Sequence, residues 1–224
     1  MARKRKTSAS SDETTSWNEA PPSSKRIKLN GSQQRALAAI QQNAVTVIIG
    51  EAGGGKSFVA MYAARDMLLN KEVEKVVVIR SPMDVSRRGI GFLKGGLEEK
   101  LEPWAMASKC IAKDLRIEDK VEFYHMGFIQ GVTFTDCCVI LEEAQSLTMP
   151  ELEAVVTRLG LGSKFIATGD PKQDICRSNG IMPFVDIIRN VEGVAIVEFD
   201  PEENQRHPVV RDIRRALYAH NTPS

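Results

Sequence analysis

Eight consecutive residues, Gly50-Glu51-Ala52-Gly53-Gly54-Gly55-Lys56-Ser57, combine four glycines with a lysine and a hydroxyl, at the G-x-x-x-x-G-K-[ST] spacing that wraps a phosphate chain. Without a Cβ to oppose tight curvature, glycines let the backbone turn its N–H groups toward phosphate oxygens. Lys56 then reaches the β and γ phosphates of a nucleoside triphosphate, and Ser57 offers its hydroxyl to Mg2+. Phe58 directly after it closes the nucleotide-binding stretch. The alternative is a glycine-rich turn with an incidental lysine, and the flanking segments decide against it.

Glu142 and Glu143 are the second feature with chemical reach. The apolar run before them buries a strand and delivers both carboxylates at its C-terminal edge, where open α/β sheets hold ligands. Alternation along a strand sends the two to opposite sides. Glu142 is thereby assigned to the metal and its water shell, and Glu143 to the attacking water as general base. Alone the pair is an ordinary acidic strand end; beside the glycine loop it completes a nucleotide-hydrolysing site. Thr168-Gly169-Asp170-Pro171-Lys172-Gln173 follows a further buried run. Asp170 and Gln173 there can sense the terminal phosphate through a hydrogen bond lost on hydrolysis, or simply form a turn.

These groups need a scaffold, and the apolar pattern supplies one. Residues 45–49, 76–79, 138–141, 165–168 and 194–199 read as five strands, the first leading into the glycine loop and a helix over 58–69. Asn30 with Gln33 makes a capping box for a helix to Gln42, and Thr148 with Glu151 makes another. Leu152, Val155, Val156 and Leu159 form the apolar face of that second helix, with Gly160 as its stop. Further helices are expected over 97–113, 183–189 and from Val209 to Leu217. Strands alternating with helices predict an α/β protein with a mainly parallel sheet covered on both faces; with the glycine loop, the expected arrangement resembles the three-layer α/β/α, RecA-like one of P-loop NTPases.

The chain of 224 residues, 42% hydrophobic and 26% charged, suits one buried core rather than two. Residues 1–28 are rich in Ser, Thr, Pro and charge and read as a disordered arm, leaving 29–224 as the ATPase domain. The arm's basic clusters suit nucleic-acid contact, an import signal or plain solubility. Residues 1–30 carry seven Lys/Arg against three Asp/Glu, so the remainder, with 23 against 26, is slightly acidic. Any nucleic-acid contact must then come from local clusters. The richest is the loop with Arg80, Arg87, Arg88 and Lys94 against Asp84, which suits a phosphate track as well as a solvated loop. Stacking aromatics nearby are few: Phe92 and Trp104. Four scattered cysteines and three separated histidines support neither a disulfide framework nor a zinc site. No apolar run approaches about 18 residues, so no membrane contact is expected. The compartment expected is a reducing cytoplasm, bacterial or, for a phage-encoded chain, that of the host.

With these motifs in place, the chain resembles the PhoH family of ATPases, similar in their core to one motor domain of superfamily 1 helicases. The resemblance runs from about Leu29 to Leu217. It rests on the glycine loop, Gly91-Phe92-Leu93-Lys94-Gly95 with Leu97-Glu98-Glu99-Lys100, Val139 to Gln145, Thr157-Arg158-Leu159-Gly160, Thr168 to Gln173, and Arg206-His207-Pro208. It implies that Gln33 reads adenine and that Arg206 contacts the γ-phosphate region. It also places the Arg80 loop where such motors touch single strands. Three departures follow from the same resemblance: Glu142 stands where Asp is usual, Glu51 where Pro is usual, and Gln130-Gly131-Val132-Thr133 where Arg-Gly-Arg-Thr is common. The extra methylene of Glu142 moves its carboxylate outward, and Mg2+ demands near-ideal ligation at about 2.0–2.1 Å, so slow hydrolysis is expected.

A helicase of that superfamily closes ATP between two motor domains, and this chain has residues for one. Self-association into a ring, such as a homohexamer, with Arg206 reaching the next subunit's γ-phosphate, would complete the site; such a finger raises turnover by about 10³ to 10⁵. Two readings follow. One is an oligomeric, Mg2+-dependent ATPase stimulated by single-stranded RNA or DNA, or a helicase; the other is an ATP-switched binding protein in which slow hydrolysis times a partner's association.

Overall fold

The computed structural model describes residues 27–80, 97–173 and 180–210, with 212, 213 and 216, and gives only the backbone over 97–104. Most of the expected 1–28 arm and residues 211, 214, 215 and 217 of the expected last helix lie outside the described residues. Six strands form one sheet: β1 (Val45–Ile49), β2 (Lys75–Arg80), β3 (Val121–His125), β4 (Cys137–Glu142), β5 (Lys164–Gly169) and β6 (Val194–Glu198). Their order is β3-β2-β4-β5-β1-β6, and every pairing is parallel. The helices are α1 (Gly31–Gln42), α2 (Lys56–Leu69), α3 (Leu97–Asp114), α4 (Met149–Val156) and α5 (Ile181–Ile188).

Alternation along the strands divides the core in two. Ile48, Val76, Val78, Cys138, Ile140 and Ile166 meet α1, α2 and the end of α3 on one face. Val47, Ile49, Val77, Ile79, Val139, Leu141, Phe165 and Ala167 meet α4 and α5 on the other. Burial on both sides is why the strands read as unbroken apolar runs. The result is a three-layer α/β/α P-loop fold.

Both expected capping boxes are formed. Gln33 N–H donates to Asn30 Oδ1 at 2.8 Å while Asn30 N–H donates to Gln33 Oε1 at 3.1 Å. Glu151 accepts from Thr148 N–H at 2.7 Å. At the far end of α1, Lys164 Nζ donates to the carbonyls of Ile40, Gln41 and Asn43 at 2.8–3.2 Å, so a cation satisfies the helix's last acceptors.

Two expectations need correction. Five strands were read, but β3 makes a sixth. Val121–His125 is an edge strand half-buried at every position, and Glu122 in its middle pairs with Lys75 at 3.0 Å, so no apolar run marks it. The helix from Thr148 was read through Leu159, but α4 ends at Val156. Beyond it Leu159 pairs in a parallel bridge with Phe134, and Gly160 N–H donates to the Phe134 carbonyl at 2.6 Å.

Candidate functional site

The glycine loop joins β1 to α2 at the C-terminal edge of the sheet. Gly50, Gly53 and Gly55 have φ of 149°, 102° and 83°, left-handed or near-mirror conformations that side chains resist. Three consecutive carbonyls of the loop are held from outside. Asn204 Nδ2 donates to Ala52 O at 2.9 Å, Gln205 N–H to Gly53 O at 3.0 Å, and Gln33 Nε2 to Gly54 O at 3.1 Å. In a trans peptide each C=O opposes the next N–H. Pinning these carbonyls outward therefore turns the N–H groups of Gly53, Gly54 and Gly55 into the concave side. The first turn of α2 begins at Lys56 and adds its own N–H groups and dipole. Lys56 Nζ lies within the curve, donating to Gly50 O at 2.6 Å and Glu51 O at 2.9 Å.

The acids approach the loop through a chain of hydrogen bonds. Glu143 Oε2 accepts from Gln145 Nε2 at 2.6 Å, and Gln145 Oε1 accepts from Asp170 N–H at 3.0 Å. Asp170 Oδ2 in turn accepts from the loop's Ala52 N–H at 2.9 Å and from Gln173 Nε2 at 2.7 Å. Gln145 and Asp170 are both buried. On the other side Glu142, also buried, accepts from Ser108 Oγ on α3 at 2.6 Å. Arg80 lies across both carboxylates, Nη1 at 3.8 Å from Glu142 Oε2 and Nη2 at 3.6 Å from Glu143 Oε1.

This donor set fits a magnesium nucleotide. A Cβ on Gly50 or Gly54 would strike Phe199, and one on Gly53 would strike Asn204 and Arg206, so the loop is backed by protein at these positions. Ser57 is the second residue of α2, Glu142 ends strand β4 and Glu143 follows it directly.

A family model for PhoH-like proteins matches residues 26–218. The chain belongs to the PhoH-like family. Similar proteins include the PhoH-like protein of Synechocystis sp., 34% identical over 82% of this chain and 60% of its own length. The PhoH-like protein of Bacillus subtilis is 31% identical over 88% and 65%, and Protein PhoH of Escherichia coli is 30% identical over 86% and 57%. The chain thus spans 57–65% of the length of these curated relatives. In fold it is similar to the large terminase of a thermophilic bacteriophage, with a TM-score of 0.57 at 13% identity, covering 86% of this chain and 51% of that one. The ADP complex of that terminase gives 0.55 at 13% identity, covering 85% and 50%.

In this PhoH-like chain the expected site residues divide into three groups. The glycine loop, Lys56, Asp170 and Gln173 are brought together as described. Phe58 packs against the core on the α1 and α2 face, its ring 6.1 Å from that of Tyr62. Arg87, Arg88, Lys94, Phe92 and Cys176 fall outside the described residues, as does the Trp104 side chain.

Four further expected site residues have contacts that the sequence does not show. Glu143 does not continue the strand alternation: its φ of 54° and ψ of 42° are left-handed, so the chain has already turned and both carboxylates face Arg80. Arg80, expected on a nucleic-acid track, directs its guanidinium at those acids. Gln33 is buried, with its amide engaged at both ends by Asn30 and Gly54. Arg206 has its stem beside Gly53 of its own loop.

Sequence reasoning missed Gln145 and Ser108 as site residues, and the strap of residues 199–206. Gln145 was in plain view two residues after Glu143, but its bond to Asp170 crosses between strands. The strap carries Asn204 and Gln205, and Glu203 anchors it to α1 by accepting from Ser32 N–H at 2.6 Å. Hydrogen bonding from Ser32 holds the Glu203 carboxyl below its ordinary value.

Proposed function

We propose that this PhoH-like chain is a Mg2+-dependent ATPase, working as an oligomer, whose turnover is stimulated by single-stranded nucleic acid. The observation that carries the reading is the bonded path Glu143, Gln145, Asp170, Ala52, which ties a candidate base to the phosphate loop. Mg2+ held by Ser57 and Glu142 would offset phosphate charge. The inward N–H groups and Lys56 orient the triphosphate, with Lys56 turning from the Gly50 and Glu51 carbonyls to meet it. Glu143 takes the proton of the attacking water, and Gln145 aims that carboxylate. Arg206, with its stem beside Gly53, would steady the terminal phosphate of a bound nucleotide.

Nucleic-acid stimulation draws support from an aromatic pair at the end of β3. Half-exposed Phe128 packs edge-on to His125 with centroids 5.8 Å apart, a surface on which bases can stack. The reading also places the protein in a reducing compartment, in keeping with the free thiols of Cys110, Cys137 and Cys138.

ATP turnover of the purified protein, with and without poly-nucleotide and beside Lys56→Ala and Glu143→Gln, tests this. Loss in both variants with several-fold stimulation of wild type supports the reading; wild-type rates in both variants would overturn it. The hold of Arg80 on both acids favours a second reading, a slow ATP-timed switch, for which nucleic acid leaves turnover flat.

A further inference from the structure

Arg80 closes β2 and stands in register with Glu142 on β4. Its guanidinium meets one oxygen of each acid at 3.6–3.8 Å, and its side chain is 25% exposed beside a Glu142 side chain at 5%. These are ion-pair separations rather than a bidentate clasp. The carboxylates therefore feel the positive charge without being locked by it. Ser108 Oγ already donates to the same Glu142 oxygen that faces Arg80, which leaves Oε1 as the oxygen better placed for another ligand.

Two carboxylates so close to one another repel, and burial makes the repulsion worse. An adjacent cation removes that penalty. A cation in that place also opposes the arrival of a second one. We propose that Arg80 is a positioning residue that serves as the built-in counter-cation of the Glu142 and Glu143 pair. It keeps Glu143 aimed while weakening the pair's hold on divalent metal. The site thus holds the metal more weakly without a nucleotide than with one, whose phosphates supply the negative charge that outweighs Arg80.

The inference deepens the ATPase reading and rests on it. Its consequence is a split between charge and shape. Arg80→Gln removes the cation but keeps a planar hydrogen-bonding head; Arg80→Lys keeps the charge and loses the two-pronged reach. The charge term predicts that Mn2+, used as the probe, binds Arg80→Gln about tenfold more tightly, with and without a non-hydrolysable ATP analogue. Arg80→Lys should bind Mn2+ like wild type. Both variants should lose kcat, because neither holds Glu143 at the observed place, while KM for ATP stays near wild type.

The decisive measurement is Mn2+ titration by electron paramagnetic resonance on the full chain, paired with melting curves. Arg80→Met, which keeps the apolar stem, replaces Arg80→Gln if that variant does not fold, with the same result expected. Unchanged or weaker Mn2+ binding in the neutral variant overturns the inference. If instead wild type binds no Mn2+ with the analogue present, the ATPase reading itself has failed, so the two failures are distinguishable.

Discussion

Asp170 accepts a 2.9 Å hydrogen bond from the backbone N–H of Ala52, 118 residues earlier in the chain. The bond sets the entrance of the glycine loop from a neighbouring strand, since Asp170 follows β5 and Ala52 follows β1. Being charge-assisted and largely dry, it belongs to the class worth about 1.5–3 kcal/mol. Asp170→Ala should therefore weaken nucleotide binding by about tenfold or more, read by titration with a fluorescent ATP analogue. Wild-type affinity in that variant would show that the loop holds its form alone.

Glu143→Gln should retain nucleotide binding and lose about 10² to 10⁴ in turnover, the range for removing a positioned base. Gln145→Met removes the amide that aims it, together with the acceptor of the Asp170 N–H. That variant is expected to lower kcat by about tenfold while KM stays unchanged, and steady-state kinetics on the two variants separate the base from its support. A rise in KM with kcat intact would place Gln145 in substrate binding instead.

Gly53→Ala tests the loop's backing. At φ 102° a Cβ would lie 2.5 Å from Asn204 Oδ1 and 2.8 Å from Arg206 Cγ, and the conformation alone costs about 1–3 kcal/mol. The expected result is a lower melting temperature and loss of ATP binding together. A variant that melts and binds as wild type would mean the strap yields freely.

The strap also carries a pH signature. Glu203 has its carboxyl held below the ordinary glutamate value by hydrogen bonds from Ser32. A lowered folded-state value means the anchor contributes in full above the ordinary glutamate range, and that contribution fades as pH falls through the folded value. Melting curves of wild type and Glu203→Gln should differ at about pH 7, and the gap should shrink as the pH falls below the ordinary glutamate range. A gap that widens on acidification would contradict this anchor.

What the sequence made legible was local. The glycine loop, the capping boxes at Asn30 and Thr148, and the buried strands each rest on neighbours within a few residues, where residue type alone decides the geometry. β3 escaped because an edge strand holding Glu122 has no apolar signature. The turn of Glu143 into the left-handed region escaped because no glycine marks it. Ser108 and Asn204 act across 34 and 152 residues respectively, and such distances are fixed by the order of strands in the sheet, which a one-dimensional pattern does not encode. Glu51 is a middle case. The resemblance flagged it as a departure, and the structure shows it paired with Lys172 at 2.9 Å across the mouth of the loop, an exposed contact of small energetic weight.

The outward anchoring of the Ala52, Gly53 and Gly54 carbonyls bears on kinetics as well as on affinity. A mould that exists before its ligand arrives needs no ordering step after encounter. Capture of the nucleotide should follow a single exponential whose rate climbs in proportion to concentration, without a plateau, and cutting the chain within the strap should introduce the saturating, hesitant phase of a loop that must find its form anew at each visit.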